Sequence, residues 1–276
     1  MEKRGRLFII GTPIGNLQDV TLRALSIIES CQVVFCEDTR VSRKLLTRYN
    51  LRKKLVSLHG DSPSQALEKV GARLERGENV CYMTDAGMPG VSDPAASLVE
   101  LCQRKEFGVT VIPGVSAVTT ALSYSPKEIS EFLFLGFPGS KSSDIDRKLM
   151  ECANSRFPII FFVPPHDLEN FLRRTKTILG EREILLCREL TKKFEQVVFG
   201  RTSEILEKVE GLKRGEITLI IYPLERLTDE SEKLELDLGL AIERLLGSGF
   251  SPRECVKILS CLAPKLKNIV KRKIYN

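Results

Sequence analysis

Four short segments carry residues whose types and spacing can do chemistry: Gly11-Thr-Pro-Ile-Gly15-Asn16, Glu37-Asp38-Thr39-Arg40, the run from Thr84-Asp85-Ala86-Gly87 to Asp93-Pro94, and Pro113-Gly114-Val115-Ser116-Ala117. Each follows an apolar, strand-like run, and loops after the strands of an open α/β sheet share the carboxyl edge where such sheets bind ligands. Singly, turns rich in glycine and proline are ordinary connectors; four on one edge mark a binding site. The first segment has neither the GxGxxG spacing of a dinucleotide fold nor the GxxxxGK[ST] of a phosphate loop, so neither a nicotinamide dinucleotide nor ATP is indicated. Glycines and prolines of the third let backbone approach a flat, uncharged group, and Ser116 with the adjacent amides at a helix start can hydrogen-bond a polar ligand edge. Adenosine suits such a site.

Glu37, Asp38 and Arg40 stand just past a strand end, where two readings are open. Asp38 or Thr39 caps the next helix and Arg40 pairs locally, as those residue types favour. Alternatively the group positions a substrate, with Glu37 or Asp38 accepting a proton and Arg40, Arg43 and Lys44 holding a phosphate. His59 and His166 are of the residue type that most often serves as a general base, but a surface turn and a helix start account for them. Eight cysteines occur without one CxxC pair, and there are two histidines, so no bound metal is expected and the thiols are read as reduced.

Positioning these loops falls to apolar runs at 7–10, 33–36, 54–58, 80–84 and 109–112, separated by segments of helical spacing such as 18–29 and 64–76. This alternation predicts an α/β fold with a largely parallel sheet. Further strands are expected at 132–137, 158–163, 184–187, 197–199 and 217–222, among helices near 144–153, 168–179 and 203–209, which makes a second sheet. Ser125-Pro126 interrupts the helical pattern between the sets, so domains are expected at 1–124 and 125–227. Across 228–276 the strand signal ends and three short helices are expected, at 234–246, 252–262 and 264–274, with Ser251 and Pro252 as N-cap and first helical residue of the second.

The 276 residues include 42 Lys and Arg against 36 Asp and Glu, a net charge of +6. Residues 250–276 hold seven basic side chains, among them Lys265, Lys267, Lys271, Arg272 and Lys273, against Glu254 alone, so the whole surplus sits there. Such a helical, basic segment favours a polyanion and is read as an RNA contact. No apolar run approaches the ~20 residues of a membrane span. The first six residues lead straight into a strand, leaving no room for a secretory leader, and a cytoplasmic protein is expected.

The order of the blocks at 11–24, Cys36-Glu-Asp-Thr-Arg-Val-Ser-Arg-Lys-Leu-Leu46, 85–94, 113–117 and Arg188-Glu-Leu-Thr-Lys192 resembles the tetrapyrrole-methylase superfamily, in the branch that acts on ribosomal RNA. The resemblance covers nearly the whole chain. It implies two α/β domains with a small helical C-terminal appendage, S-adenosylmethionine held between the domains, and a homodimer. It also implies methyl transfer to the ribose 2′-hydroxyl of a cytidine in 16S rRNA of the small ribosomal subunit. Carried over by position, Pro13, Gly87, Met88, Val91, Ser116, Ala117 and Phe162 are expected at the cofactor. The chain departs from the branch at Met88, where Thr is usual, at Leu135 and Val163, where Glu is usual, at Asp167, where Arg is usual, and in the segment His59-Gly-Asp-Ser62. These positions are read as facing the cleft, so polar substrate contacts are lost there. A corrin-precursor methylase and a non-catalytic ribosome-assembly protein are the competing functions.

Overall fold

The computed structural model describes residues 4–58, 63–139, 141–209, 211–224, 230–262, 270, 271 and 274. The chain forms two compact units, Met1–Pro223 and Leu224–Asn276.

In the first unit, strands β1 (Arg6–Ile10), β2 (Val33–Cys36), β3 (Lys54–Ser57), β4 (Val80–Met83) and β5 (Gly108–Ile112) form one sheet in the order β3-β2-β4-β1-β5. Every pairing in it is parallel. The inner strands β2 and β4 are buried at every residue, as continuous apolar runs covered on both faces must be. Helices α1 (Leu22–Ser30), α2 (Thr39–Arg48), α3 (Pro63–Glu75), α4 (Ala95–Arg104) and α5 (Ala117–Leu122) make the connections. Their starts are local chemistry: Thr21 Oγ1 accepts the Ala24 amide and Asp38 accepts the Arg40 amide, each satisfying an amide that the helix leaves open.

The second sheet runs β6-β7-β10-β8-β9, built from β6 (Leu133–Phe134), β7 (Ile159–Val163), β8 (Glu183–Arg188), β9 (Gln196–Arg201) and β10 (Ile217–Ile221). Only β6 and β7 pair in parallel; β10 is antiparallel to both its neighbours and β8 to β9. Helices α6 (Ser142–Glu151), α7 (Leu168–Leu179) and α8 (Thr202–Lys208) belong to this half, and α6 and α7 bury Leu149, Phe171 and Leu172 in a core with Phe161 and Leu219 of the strands. The opposite face of the sheet, with Ile160, Leu185 and Ile220, packs in one cluster with Ile14 and Ala121 of the first half. That shared cluster ties the two sheets together.

The second unit contains α9 (Glu230–Gly247) and α10 (Pro252–Leu262), with a core of Leu238, Ile242, Leu259 and Val270. Ser251 and Glu254 form a reciprocal box at the start of α10, Ser251 donating its amide to Glu254 Oε2 at 2.8 Å while its Oγ lies 3.4 Å from the Glu254 amide. These Ser251 bonds hold the Glu254 carboxyl below its usual range. The third expected helix falls largely outside the described residues, as do Lys265, Lys267, Arg272 and Lys273; Lys271 is exposed. All eight cysteines are free thiols, seven of them buried, and burial pushes Cys187 up to about 12. No helix among the described residues is long and apolar enough to cross a membrane.

Candidate functional site

Strand order decides which loops meet. Because β1 lies between β4 and β5, the loops after these three strands are neighbours, and all three line a cavity of about 530 Å³. The first sheet contributes Ile14, the stretch from Ala86 to Pro89 with Val91, and Ser116 to Val118. The second sheet closes the other side with Phe134, Phe137, Phe162, Leu190 and the turn entering β10 at Gly215 to Thr218. Phe162 is the centre of the aromatic wall, with ring centroids 4.9 Å from Phe134 and 5.7 Å from Phe137, both edge-on.

The Ala86–Pro89 segment is held by its backbone. The Gly87 carbonyl accepts three donors: the Thr12 amide at 3.0 Å, Thr12 Oγ1 at 3.2 Å and Thr84 Oγ1 at 3.1 Å. Gly87 has φ +83°, and a Cβ there would lie 3.2 Å from Ile14 Cγ2 and 3.4 Å from the Val115 carbonyl oxygen. Only glycine takes this conformation and this proximity without strain. Asp93 fixes the far end of the loop, its carboxylate accepting the amides of Gly90, Val91 and Ala95 at 2.6, 3.0 and 2.7 Å.

Six of the seven residues expected at a cofactor, Gly87, Met88, Val91, Ser116, Ala117 and Phe162, line this one cavity. Pro13 is buried and outside the lining, where its neighbour Ile14 stands instead. Ser116 stands at the N-cap of α5, where its side chain makes no capping bond. Phe134, Phe137, Leu190 and Thr218 were not singled out from the sequence, because an aromatic or aliphatic residue in an apolar strand has one pattern whether it faces a core or a cavity. Leu135, read as facing the cleft, instead packs against the core under the second sheet; adjacent residues of an extended strand point to opposite faces. Val163 does reach the cavity.

Glu37, Asp38, Arg40 and Lys44 lie one strand further along the same edge, outside the cavity's lining. They are joined to it by a reciprocal clasp. Glu37 Oε2 accepts the Asp85 amide and Asp85 Oδ1 accepts the Asp38 amide, both at 3.0 Å, while Ser57 Oγ donates to the Glu37 carbonyl at 2.7 Å. The capping alternative is realised: Asp38 accepts the Arg40 amide at 2.7 Å and pairs with the Arg40 guanidinium at 2.6 Å. That hydrogen bond raises the Arg40 pKa. Arg40 nevertheless remains 88% exposed, and Arg43, Lys44 and Arg48 are exposed on the same helix, so α2 presents a cationic surface beside the cavity loop. His166 is exposed, 3.3 Å from Asp167 at the entry to α7, and His59 lies outside the described residues.

A second loop from the opposite sheet meets this edge. Asn16 donates its amide to Thr191 Oγ1 at 3.0 Å, and a Cβ on Gly15 would clash with Lys192 Cγ and lie 2.9 Å from the Leu190 carbonyl oxygen. Lys192 in turn bridges Glu189 at 2.9 Å and Glu216 at 3.2 Å, which places an ion network behind the wall that Leu190 and Glu216 contribute. Among the described residues no three His, Cys, Asp or Glu side chains converge as metal ligands.

Comparison with known proteins matches residues 6–206 to the family Tetrapyrrole (Corrin/Porphyrin) Methylases. Ribosomal RNA small subunit methyltransferase I of Neisseria meningitidis serogroup B is 34% identical over 275 residues, 99% of this chain and 92% of that protein. The protein of the same name from Thermotoga maritima is 37% identical over 219 residues, 79% of this chain and 98% of its own. Among solved structures, the methyltransferase CobJ superposes with a TM-score of 0.61 at 16% identity, covering 80% of this chain and 95% of that one. Uroporphyrin III C-methyl transferase from Thermus thermophilus gives 0.59 at 16% identity, covering 78% and 97%. The structural matches share the fold.

Proposed function

The chain belongs to the tetrapyrrole (corrin/porphyrin) methylase family, and from that premise we propose that it transfers the methyl group of S-adenosylmethionine to the ribose 2′-hydroxyl of a cytidine in 16S rRNA of the small ribosomal subunit. The observation that carries this reading is the cavity: about 530 Å³, walled by Phe134, Phe137 and Phe162 and by a loop stripped to backbone at Gly87. That volume is within the ~300–1,000 Å³ usual for cofactor pockets, and an apolar wall opposite bare backbone fits a flat purine with its ribose. Near-full-length similarity to rRNA methyltransferases supports RNA as the acceptor in preference to a corrin precursor.

Gly87, Met88, Val91, Ser116, Ala117 and Phe162 would hold S-adenosylmethionine, which supplies an electrophilic methyl group on a sulfonium. The protein's own tasks are to align the acceptor and to ease removal of its proton. Arg40, Arg43 and Lys44 hold the target phosphate on the exposed face of α2, and this orients the ribose toward the Ala86–Pro89 loop. Glu37 and Asp38 stand between that face and the loop, with Asp85 locked against both; one of the two accepts the 2′-hydroxyl proton. Nearby guanidinium and ammonium groups favour the negative character that develops on the oxygen. The second unit adds phosphate contacts through its basic side chains. The active form is a homodimer in the cytoplasm, and sedimentation analysis checks the dimer.

The test is transfer of labelled methyl from S-adenosylmethionine to small subunits purified from cells lacking this protein, followed by mass mapping of ribose methylation. One new 2′-O-methylcytidine is expected. Methylation of a corrin precursor instead, or binding of subunits without transfer, would refute the reading in favour of one of its competitors.

A further inference from the structure

We propose that the exposed ring of Phe194, with Lys193 over its face, is a stacking platform for a base of the RNA that carries the methyl acceptor. This rests on the rRNA reading above and goes beyond it, since Phe194 lies outside the cavity and outside the α2 surface.

Phe194 is 71% exposed. A single exposed apolar side chain needs no explanation by itself; the construction around this one does. The turn from Glu189 to Glu195 between β8 and β9 is tied at both ends and in the middle. Glu189 donates its amide to the Glu216 carbonyl at 2.9 Å, Lys192 to the Glu189 carbonyl at 3.0 Å and Glu195 to the Lys192 carbonyl at 3.0 Å. The Glu195 carboxylate accepts the Thr191 amide and the Tyr124 hydroxyl, each at 2.5 Å. Glu189 and Thr191 sit at φ +53° and +66°, an unfavourable backbone for side-chain-bearing residues that persists only where the surroundings impose it. The turn therefore ties its backbone and the Glu195 carboxylate into local bonds and holds Phe194 outward, between the exposed side chains of Lys193 and Glu195.

That place adjoins the cavity. Leu190 of the same turn lines it, so the Cα of Phe194, four residues on, is at most ~14 Å of chain away. Tyr124, whose hydroxyl anchors the turn, is itself 44% exposed and follows α5, whose first residues also line the cavity. The Lys193 ammonium lies 5.5 Å from the Phe194 ring centroid. An aromatic face beside a cation matches single-stranded RNA at both of its invariant features, the π-face of every base and the phosphate that follows it. The positive charge distinguishes this patch from a purely apolar contact with another protein, and a pre-ordered ring loses little freedom on binding.

Wild-type protein and the variants Phe194→Ala, Phe194→Leu and Phe194→Trp are compared in methyl transfer to small subunits, with S-adenosylhomocysteine titrated by calorimetry and oligomeric state measured by sedimentation. Phe194→Ala is expected to raise the KM for subunits about tenfold, with kcat and S-adenosylhomocysteine affinity within about twofold of wild type. Phe194→Trp restores the KM and Phe194→Leu does not, because only the former offers a π-face. An unchanged KM overturns the proposal, as does equal rescue by leucine, and a fall in the sedimenting mass of Phe194→Ala from dimer to monomer shows that a second copy, not RNA, covers the ring. If the wild type transfers no methyl to subunits, the rRNA reading falls and the proposal with it.

Discussion

Met88 Sδ lies 3.1 Å from the amide nitrogen of Gly114 and receives its hydrogen bond. The contact joins the loop after β4 to the loop after β5 across the end of β1, and a Cβ on Gly11 would lie 2.5 Å from the same sulfur. The Gly114 amide is thus met by a thioether, a weaker acceptor than a hydroxyl, from a residue that also lines the cavity. Met88→Leu keeps the volume and removes the acceptor. About 1 kcal/mol of stability should be lost, seen as a fall of roughly 2–4 °C in thermal midpoint for a unit of this size; an unchanged midpoint would show that the Gly114 amide needs no sulfur.

Gly87 is the position where backbone freedom and cavity shape coincide. Gly87→Val places a branched side chain at φ +83°, 3.2 Å from Ile14 Cγ2, with strain on the order of 1–3 kcal/mol. S-adenosylhomocysteine binding by calorimetry should be abolished, while Gly87→Ala weakens it by an intermediate amount. Wild-type affinity in the valine variant would move the ligand away from this loop.

Arg40 separates the capping and substrate roles of its neighbourhood. The cap of α2 uses the Arg40 backbone amide, which Arg40→Ala retains, and the exposed guanidinium contributes little to stability. Turnover at saturating cofactor should nevertheless fall by more than about threefold, since a single lost hydrogen bond to a charged group is worth more than that. Asp38→Ala should lower both turnover and stability, the latter by about 1 kcal/mol for the lost cap.

Much of this architecture is legible in the sequence. The strands after which the four loops follow are apolar runs that end near glycine, proline or acidic residues, which marks the loops of the shared edge, and the family resemblance names Gly87, Met88, Val91, Ser116 and Ala117 within them. The sequence is silent on neighbours. Alternation of strands and helices does not disclose that β10 inserts between β7 and β8 in the antiparallel sense, nor that β4 lies between β2 and β1. That last arrangement leaves Glu37 and Asp38 beside the cavity instead of in it. Leu135 shows the remaining difficulty: with Phe134 on the cavity and Leu135 in the core, a shift of one residue exchanges the two surfaces.

The ion network under Leu190 predicts a pH dependence. The Lys192 ammonium, hydrogen-bonded to Glu189, holds that carboxyl below its usual range. A depressed folded-state pKa contributes stability that is present above the unfolded value of about 4.3 and is lost as pH falls through the folded value. The thermal midpoint should therefore drop below about pH 4.3, and Glu189→Gln should flatten that part of the curve while lowering the midpoint at neutral pH. Superimposable acid limbs for the two proteins would show that the pair contributes nothing there.

The basic C-terminal unit should act through phosphate charge. Arg253, Lys257 and Lys271 are exposed, and the segment from 250 onward carries the full net charge of the chain. Replacing these three with glutamine leaves α10, its Ser251–Glu254 box and the Leu238–Leu259 core intact. Each lost phosphate contact should reduce the slope of log affinity against log salt by about 0.7 for single-stranded RNA, weakening subunit binding most at low ionic strength. Affinity for S-adenosylhomocysteine, proposed to bind in the cavity of the other unit, should not change. A salt slope equal to that of the wild type would assign these cations a role within the protein and leave RNA capture to α2 and the Phe194 turn.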